Sequence, residues 1–321
     1  MIKHCLKSVK PWSQGTLSNP QYDALIAVVG YEQRSNYVAS VFKHQSKRLF
    51  ASAFDERKEH AYKSNLHWFE QQGFEVKEST DIDFKVWCEE ILNKVDSEEE
   101  DNPIRICVDI SSISRFRLAI LMASICKHRG GVLEVDFLYA PAKFSPPNYQ
   151  EGPIVTAKPV IDMFAGWTTE PAAQPVAIFG LGYERDKAVG VIEYIEPIGV
   201  WAFKPHGEDT RYDIEVTRAN KTLRDVVPND HLIEYAVDRP FECFTTLESL
   251  IYGTFRTARP ILIPFGPKIF SLCCLLVACT HFPRVSVWRV SSGQYDLAVD
   301  RIANGKIVGL KAEFGPQTEM V

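Results

Sequence analysis

Several things are missing from this 321-residue chain, and each absence removes a class of function. No CxxC pair occurs among the eight cysteines, so the usual spacing of a structural zinc site is lacking. Cys5, Cys88, Cys107, Cys126, Cys243, Cys273, Cys274 and Cys279 fall mostly in apolar stretches. They read as free buried thiols in a reducing compartment, with no metal site. No GxGxxG occurs, which argues against an ordinary dinucleotide cofactor, and no cofactor is expected. Positive charge is not in excess: 36 Lys and Arg face 41 Asp and Glu, a formal net charge of −5. Non-specific nucleic-acid binding, which needs a basic field, is not expected, whereas one local cationic pocket is compatible. The first ten residues lack the apolar core of a secretory signal. The longest apolar stretch, 261–279, is broken by Pro264, Gly266, Pro267 and Lys268, so it reads as a strand, a turn and a helix rather than a membrane span. The expected setting is the cytoplasm, with no membrane partner.

What is present is an α/β pattern. Hydrophobic residues make up 45% and charged residues 24%, as in globular proteins, and the length suits two domains. The run at 24–30 (ALIAVVG) is apolar throughout and closed by glycine, as in a strand buried on both faces of a parallel sheet. A helix is predicted at 35–44, a strand at 49–54, a helix at 56–72 and a weaker strand at 74–77. A helix at 84–95, an acidic solvated loop at 97–101, a strand at 104–110, a helix at 114–128 and a strand at 132–139 complete the set. Strands alternating with helices imply parallel βαβ units.

A connection rich in Pro and Gly follows, with one short element near 160–164. Then the pattern restarts: strands at 176–182, 200–203, 231–237, 261–265 and 285–290, helices at 185–195, 208–226, 243–255 and 269–279. Asn304-Gly305 suggests a hairpin turn between 297–303 and 307–312. The two series share a junction. Gly30-Tyr31-Glu32 after the first strand is repeated as Gly182-Tyr183-Glu184, 152 residues on (182 − 30). The turns after the fourth strands, at Ser111 and Gly266, are 155 apart (266 − 111). Such small drift indicates internal duplication. The expected fold is α/β: two tandem Rossmann-like halves, each a three-layer arrangement around a parallel sheet, with a C-terminal β-hairpin. The boundaries are 1–145, a connection at 146–171, and 172–321.

Ligands of open parallel sheets bind beyond the strand carboxyl ends, at the switch in strand order. The turns after strands 1 and 4 of each half belong there, and the two halves are expected to face one cleft. Gly30, Tyr31, Glu32, Arg34 and Ser35 bring a glycine turn, a stacking ring, a carboxylate and a guanidinium to a helix start, where anions are favoured. Asp109, Ser111, Ser112, Ser114 and Arg115 supply hydroxyls and a cation to another helix start, a phosphate cradle or a capped turn. The second half offers Gly182, Tyr183, Glu184 and Arg185, then Gly266 and Lys268, without the hydroxyls. Lys204 and His206, with Asp55 and Arg57 in the first half, are weaker candidates to line the cleft.

The turn Asp109-Ile110-Ser111, followed by Ser114 and Arg115, resembles the loop after strand 4 of CARF domains, which sense cyclic oligonucleotides. Ser112 and Ile113 stand where that family has two glycines. Two such halves in one chain resemble SAVED modules. The resemblance implies a nucleotide-sensing protein of bacterial antiphage defence, working with a partner effector. Two other readings stay open. One is a carboxylate-dependent enzyme of ring-nuclease or N-glycosidase type, with Glu32, Glu184 or Asp109 as acid, base or nucleophile. The other is a structural subunit of a complex. No Ser-His-Asp or Cys-His set accompanies the carboxylates, which favours binding over catalysis.

Overall fold

The computed structural model describes residues 4–14, 22–95, 102–147, 152–167, 172–255, 257–295 and 297–316. The acidic stretch 97–101 lies outside the described residues. In chain order the elements are β1 (His4–Pro11), β2 (Tyr22–Val29), α1 (Tyr37–Phe42), β3 (Ser46–Phe54), α2 (Tyr62–Gln71), β4 (Glu75–Ser79), α3 (Asp81–Val95), β5 (Ile104–Asp109), α4 (Arg115–Lys127) and β6 (Leu133–Tyr139). They continue with β7 (Thr156–Pro159), β8 (Pro175–Gly180), α5 (Lys187–Ile195), β9 (Gly199–His206), α6 (Arg211–Ala219), β10 (Leu232–Ala236), α7 (Pro240–Thr254), β11 (Arg259–Pro264), α8 (Lys268–Thr280), β12 (Ser286–Ser291) and β13 (Val308–Pro316).

The chain divides into two compact units: Met1–Lys143 with Ala298–Val321, and Phe144–Leu297. The first holds a seven-stranded sheet in the order β1-β13-β6-β5-β2-β3-β4, the second a six-stranded sheet in the order β10-β9-β8-β11-β12-β7. Five strands of each are parallel and run 3-2-1-4-5 in order of appearance, the Rossmann arrangement. Both Gly-Tyr-Glu turns therefore follow the first parallel strand of their unit.

Alternation within the strands explains the layers. In the first unit Leu25, Ala27 and Val29 form one core with Val38, Ala39 and Phe42 of α1 and Tyr62 and Phe69 of α2. Ser52 points to the other face, where Arg117 of α4 meets it. In the second unit Ala177, Phe179, Ile261 and Ile263 bury α5 and α6 through Ala188, Val191 and Val216. Phe270 of α8 packs against Phe203 and Tyr235, and Gly180 leaves it room: a Cβ there would stand 2.2 Å from the Phe270 ring.

Three expectations are corrected. The C-terminal hairpin of the second half does not form. β13 instead lies in the first sheet, antiparallel to β6 and β1, so the second unit is inserted into the first rather than following it. Leu310, Ala312 and Phe314 of β13 are buried opposite Phe137, Val135 and Leu133 of β6. Closing the edge of a five-stranded sheet buries more than an isolated hairpin, which is marginal in water. Asn304 donates its N–H to the Pro141 carbonyl (2.9 Å) and accepts from the Lys306 N–H (2.9 Å). The long helix expected at 56–72 starts only at Tyr62, because Arg57 and His60 take positive φ (61° and 46°). The helix expected at 208–226 spans Arg211–Ala219 and continues as a 3₁₀ turn at Lys221–Asp225. Among the described residues, no helix is long and apolar enough to cross a membrane.

Candidate functional site

In the first unit the strand order sets β2 beside β5, so Gly30 and Asp109 end neighbouring strands at the switch point. The turn after β2 closes on itself: the Gly30 N–H donates to Ser35 Oγ (2.8 Å), which donates to the Val28 carbonyl (2.9 Å). Gly30 is required by close approach. A Cβ would lie 2.7 Å from Ser112 Cβ and 2.9 Å from its Oγ. The room that a dinucleotide-binding glycine leaves for pyrophosphate is taken here by the chain's own Ser112.

Glu32 and Arg34, expected to reach for ligand, bond to each other at 2.5 Å and are both buried. Arg34 also donates to the Ala140 carbonyl (2.7 Å) and Tyr139 Oη (3.2 Å) at the end of β6. Burial disfavours the Arg34 cation, but Tyr139 and Glu32 hold its pKa above the ordinary arginine value. Tyr31 packs on the His60 ring at 6.1 Å. Burial, then the Glu32 charge, pushes its phenol up. Gln33 is held by Asp300, which accepts from its N–H (2.8 Å) and its side-chain amide (2.6 Å).

The turn after β5 is ordered by Asp109, whose Oδ1 accepts from the Ser111 N–H (2.8 Å), and by Ser111 Oγ, which accepts from the Ala140 N–H (2.9 Å). Ser114 caps α4, accepting from the Arg117 N–H (3.1 Å), and Arg115 opens the helix, half-buried. Ser112 differs from its neighbours. It is 9% exposed, and its Oγ has no hydrogen-bond partner among the described residues. Gly30, Ser35, Asp109, Ser111 and Ser112 are thus brought together, with Ser114 and Arg115 at the helix start beside them.

Sequence reasoning missed Arg117. It is 0% exposed and bonds to Asp81 Oδ1 (2.9 Å), Ser52 Oγ (3.2 Å) and the Ser79 carbonyl (2.5 Å). Its guanidinium lies 4.0 Å from the centre of the Phe54 ring. The available signal was a cation within the apolar run of a helix, since charge on a buried face needs partners.

In the second unit Gly182 and Gly266 approach backbone to backbone. A Cβ on Gly182 would lie 2.4 Å from Gly266 Cα, and Gly266 takes φ +67°. The Glu184 carboxylate accepts from the Gly266 N–H (3.1 and 3.2 Å), holding the donor that an anion would seek at this turn. Tyr183 stacks on Tyr212 at 6.0 Å and 3°. Arg185 is exposed and pairs with Asp186 (3.4 Å). Lys268 opens α8, half-buried. Lys204 pairs with Glu234 (3.1 Å), and His206 ends β9 half-buried. Asp55 and Arg57 are not buried in the first unit.

No protein-family model and no curated protein matches the chain. Among solved structures it is similar to phosphoethanolamine N-methyltransferase 1 of Haemonchus contortus in complex with phosphoethanolamine and S-adenosylhomocysteine, at 5% identity over 94% of this chain and 89% of that one. The TM-score is 0.25, and a superposition that loose carries no argument about fold or function.

Proposed function

We propose that the protein binds a small nucleotide-type ligand as a sensor, its phosphate held in the first unit at the turn 111–115. The observation that carries this reading is the buried hydroxyl of Ser112. A buried polar group left unbonded costs about 1–3 kcal/mol, a cost that a bound acceptor removes. The hydroxyl stands just before α4, whose N-terminus favours an anion, and Arg115 in the first turn adds a charge-assisted donor. Binding is favoured over carboxylate chemistry because Glu32 and Glu184 already bond to Arg34 and the Gly266 N–H. In the second unit the corresponding turn after β11 has its Gly266 N–H bonded to Glu184. The resemblance to CARF and SAVED modules supports the ligand class, a place in bacterial antiphage defence and output through a partner effector.

The test is calorimetric titration of cyclic oligonucleotides and mononucleotides into wild type, Arg115→Ala and Ser112→Ala. Arg115→Ala should weaken binding by about ten- to hundredfold, the equivalent of one charge-assisted hydrogen bond. Ser112→Ala should weaken binding without lowering the stability of the unliganded protein. A wild type that binds none of these ligands removes the reading. Binding that Arg115→Ala leaves unchanged removes the phosphate assignment.

A further inference from the structure

Both units place an aromatic pair at the carboxyl end of their sheet. The tyrosine of each Gly-Tyr-Glu turn packs on a ring that follows the second parallel strand: Tyr31 on His60 at 6.1 Å, Tyr183 on Tyr212 at 6.0 Å. Both members of the pair recur 152 residues on (183 − 31 and 212 − 60), the same spacing as the glycines. In the second unit the pair is extended. Phe144 meets Tyr212 edge to face at 5.3 Å and 87°, and the Arg211 guanidinium lies 4.5 Å from the centre of the Phe144 ring. Tyr183, Tyr212 and Phe144 are each only half-buried, unlike Phe179, Phe203 and Phe270 in the core of the same unit.

We infer that Tyr183, Tyr212, Phe144 and Arg211 form a stacking platform for a nucleobase in the second unit. Four planar groups held at one place and left partly in water present flat apolar faces. A heteroaromatic ring covers such faces while keeping its polar edge hydrated. Arg211, oriented by its bonds to Asp209 (2.6 and 2.9 Å), adds a guanidinium plane suited to the same ring. The Tyr183 and Tyr212 rings are parallel to within 3°, an orientation that a further stacked ring can continue. The choice of a nucleobase over other flat rings rests on the nucleotide reading above; the ring cluster does not. The platform lies wholly within the second unit and shares no residue with the phosphate turn of the first.

Adenosine, which carries no phosphate, isolates the platform, and pyrophosphate isolates the phosphate turn. Both are titrated calorimetrically into the full chain. Adenosine should bind saturably, and Tyr212→Leu, which keeps an apolar side chain but no ring face, should weaken it by about five- to hundredfold. Tyr212→Phe should stay within about twofold of wild type, because the ring is kept. Thermal melts establish that each variant is folded, and Phe144→Leu repeats the test at a second ring. Adenosine that does not bind wild type, or binds Tyr212→Leu and Phe144→Leu as well as wild type, overturns the platform. Pyrophosphate binding with no adenosine binding overturns the platform and leaves the phosphate reading standing. Ring-dependent adenosine binding without pyrophosphate binding does the reverse.

Discussion

The side-chain amide of Asn65 donates to the carbonyl of Gly30 at 2.8 Å, and it reaches the Glu32 carbonyl at the same distance. In the second unit Asn220 donates to the Gly182 carbonyl at 2.9 Å. The two glycine turns differ in their polar groups, yet each is tied by an asparagine that follows the second parallel strand. Both asparagines are buried, so the bonds are made away from competing water.

Removing either amide leaves a buried carbonyl without its donor. Asn65→Ala should lower the unfolding free energy by about 1–3 kcal/mol in urea denaturation. Asn220→Ala should act similarly through Gly182. A change below a few tenths of a kcal/mol at both sites would show the bonds to be dispensable.

The glycines should tolerate a methyl group unequally. Gly30→Ala brings a Cβ against the Ser112 side chain at 2.7 Å, whereas Gly182→Ala meets Gly266 backbone at 2.4 Å. Overpacking of this kind costs about 1–3 kcal/mol where neighbours can yield, and more where they cannot. Gly182→Ala should therefore be the more damaging in melting experiments, and Ser112→Gly should restore Gly30→Ala but not Gly182→Ala.

Arg117 and Arg115 should separate stability from binding. Arg117→Ala empties a fully buried site and strips the Ser79 carbonyl of a donor, a loss of about 2–4 kcal/mol by the usual scale of core truncations. Arg115→Ala, at a half-buried helix start, should change stability by less than about 0.5 kcal/mol. Chemical denaturation of both variants checks the contrast; equal losses would contradict the roles given to them.

Asp136 should make stability depend on pH in the direction opposite to that of an ordinary carboxylate. Burial pushes its carboxyl up, and the bond from Tyr22 (2.7 Å) and the charge of Lys311 (3.9 Å) only partly oppose this. A carboxyl raised in the folded state contributes stability that is full below its unfolded value, near 3.8, and is lost as pH rises through the folded value. Asp136→Asn keeps an acceptor for Tyr22 and removes the charge. The advantage of the variant over wild type in urea unfolding should grow as pH is raised above 3.8; a constant difference would refute the assignment.

Much of the fold is legible because it is local. The continuous apolar runs of β2, β8 and β11 must be buried on both faces, and helices between them leave a parallel sheet as the way to do it. The turns after β2 and β5, and their partners in the second unit, are legible from glycine and hydroxyl residues at strand ends. β1 escaped, and the strand expected at 307–312 was given to a hairpin, because β1 and β13 acquire their place only through each other: Val9 of β1 is paired with Ala312 of β13, some three hundred positions away. Asn65, Asn220, His60 and Tyr212 escaped because nothing in their immediate neighbours distinguishes them from other polar or aromatic residues beside a helix.

The sequence by itself determined that there are two α/β units of one topology, since hydrophobic periodicity and strand-end glycines act within a few residues of where they stand. Only the tertiary structure decided what the polar residues at those turns do. Whether Arg34 meets a ligand or the Ala140 carbonyl, whether Gln33 stays open or is held by Asp300, and which sheet receives β13 are set by pairings across 100 or more residues. Their partners are chosen by burial and by the need to satisfy each enclosed donor and acceptor, a condition of the folded whole rather than of any segment.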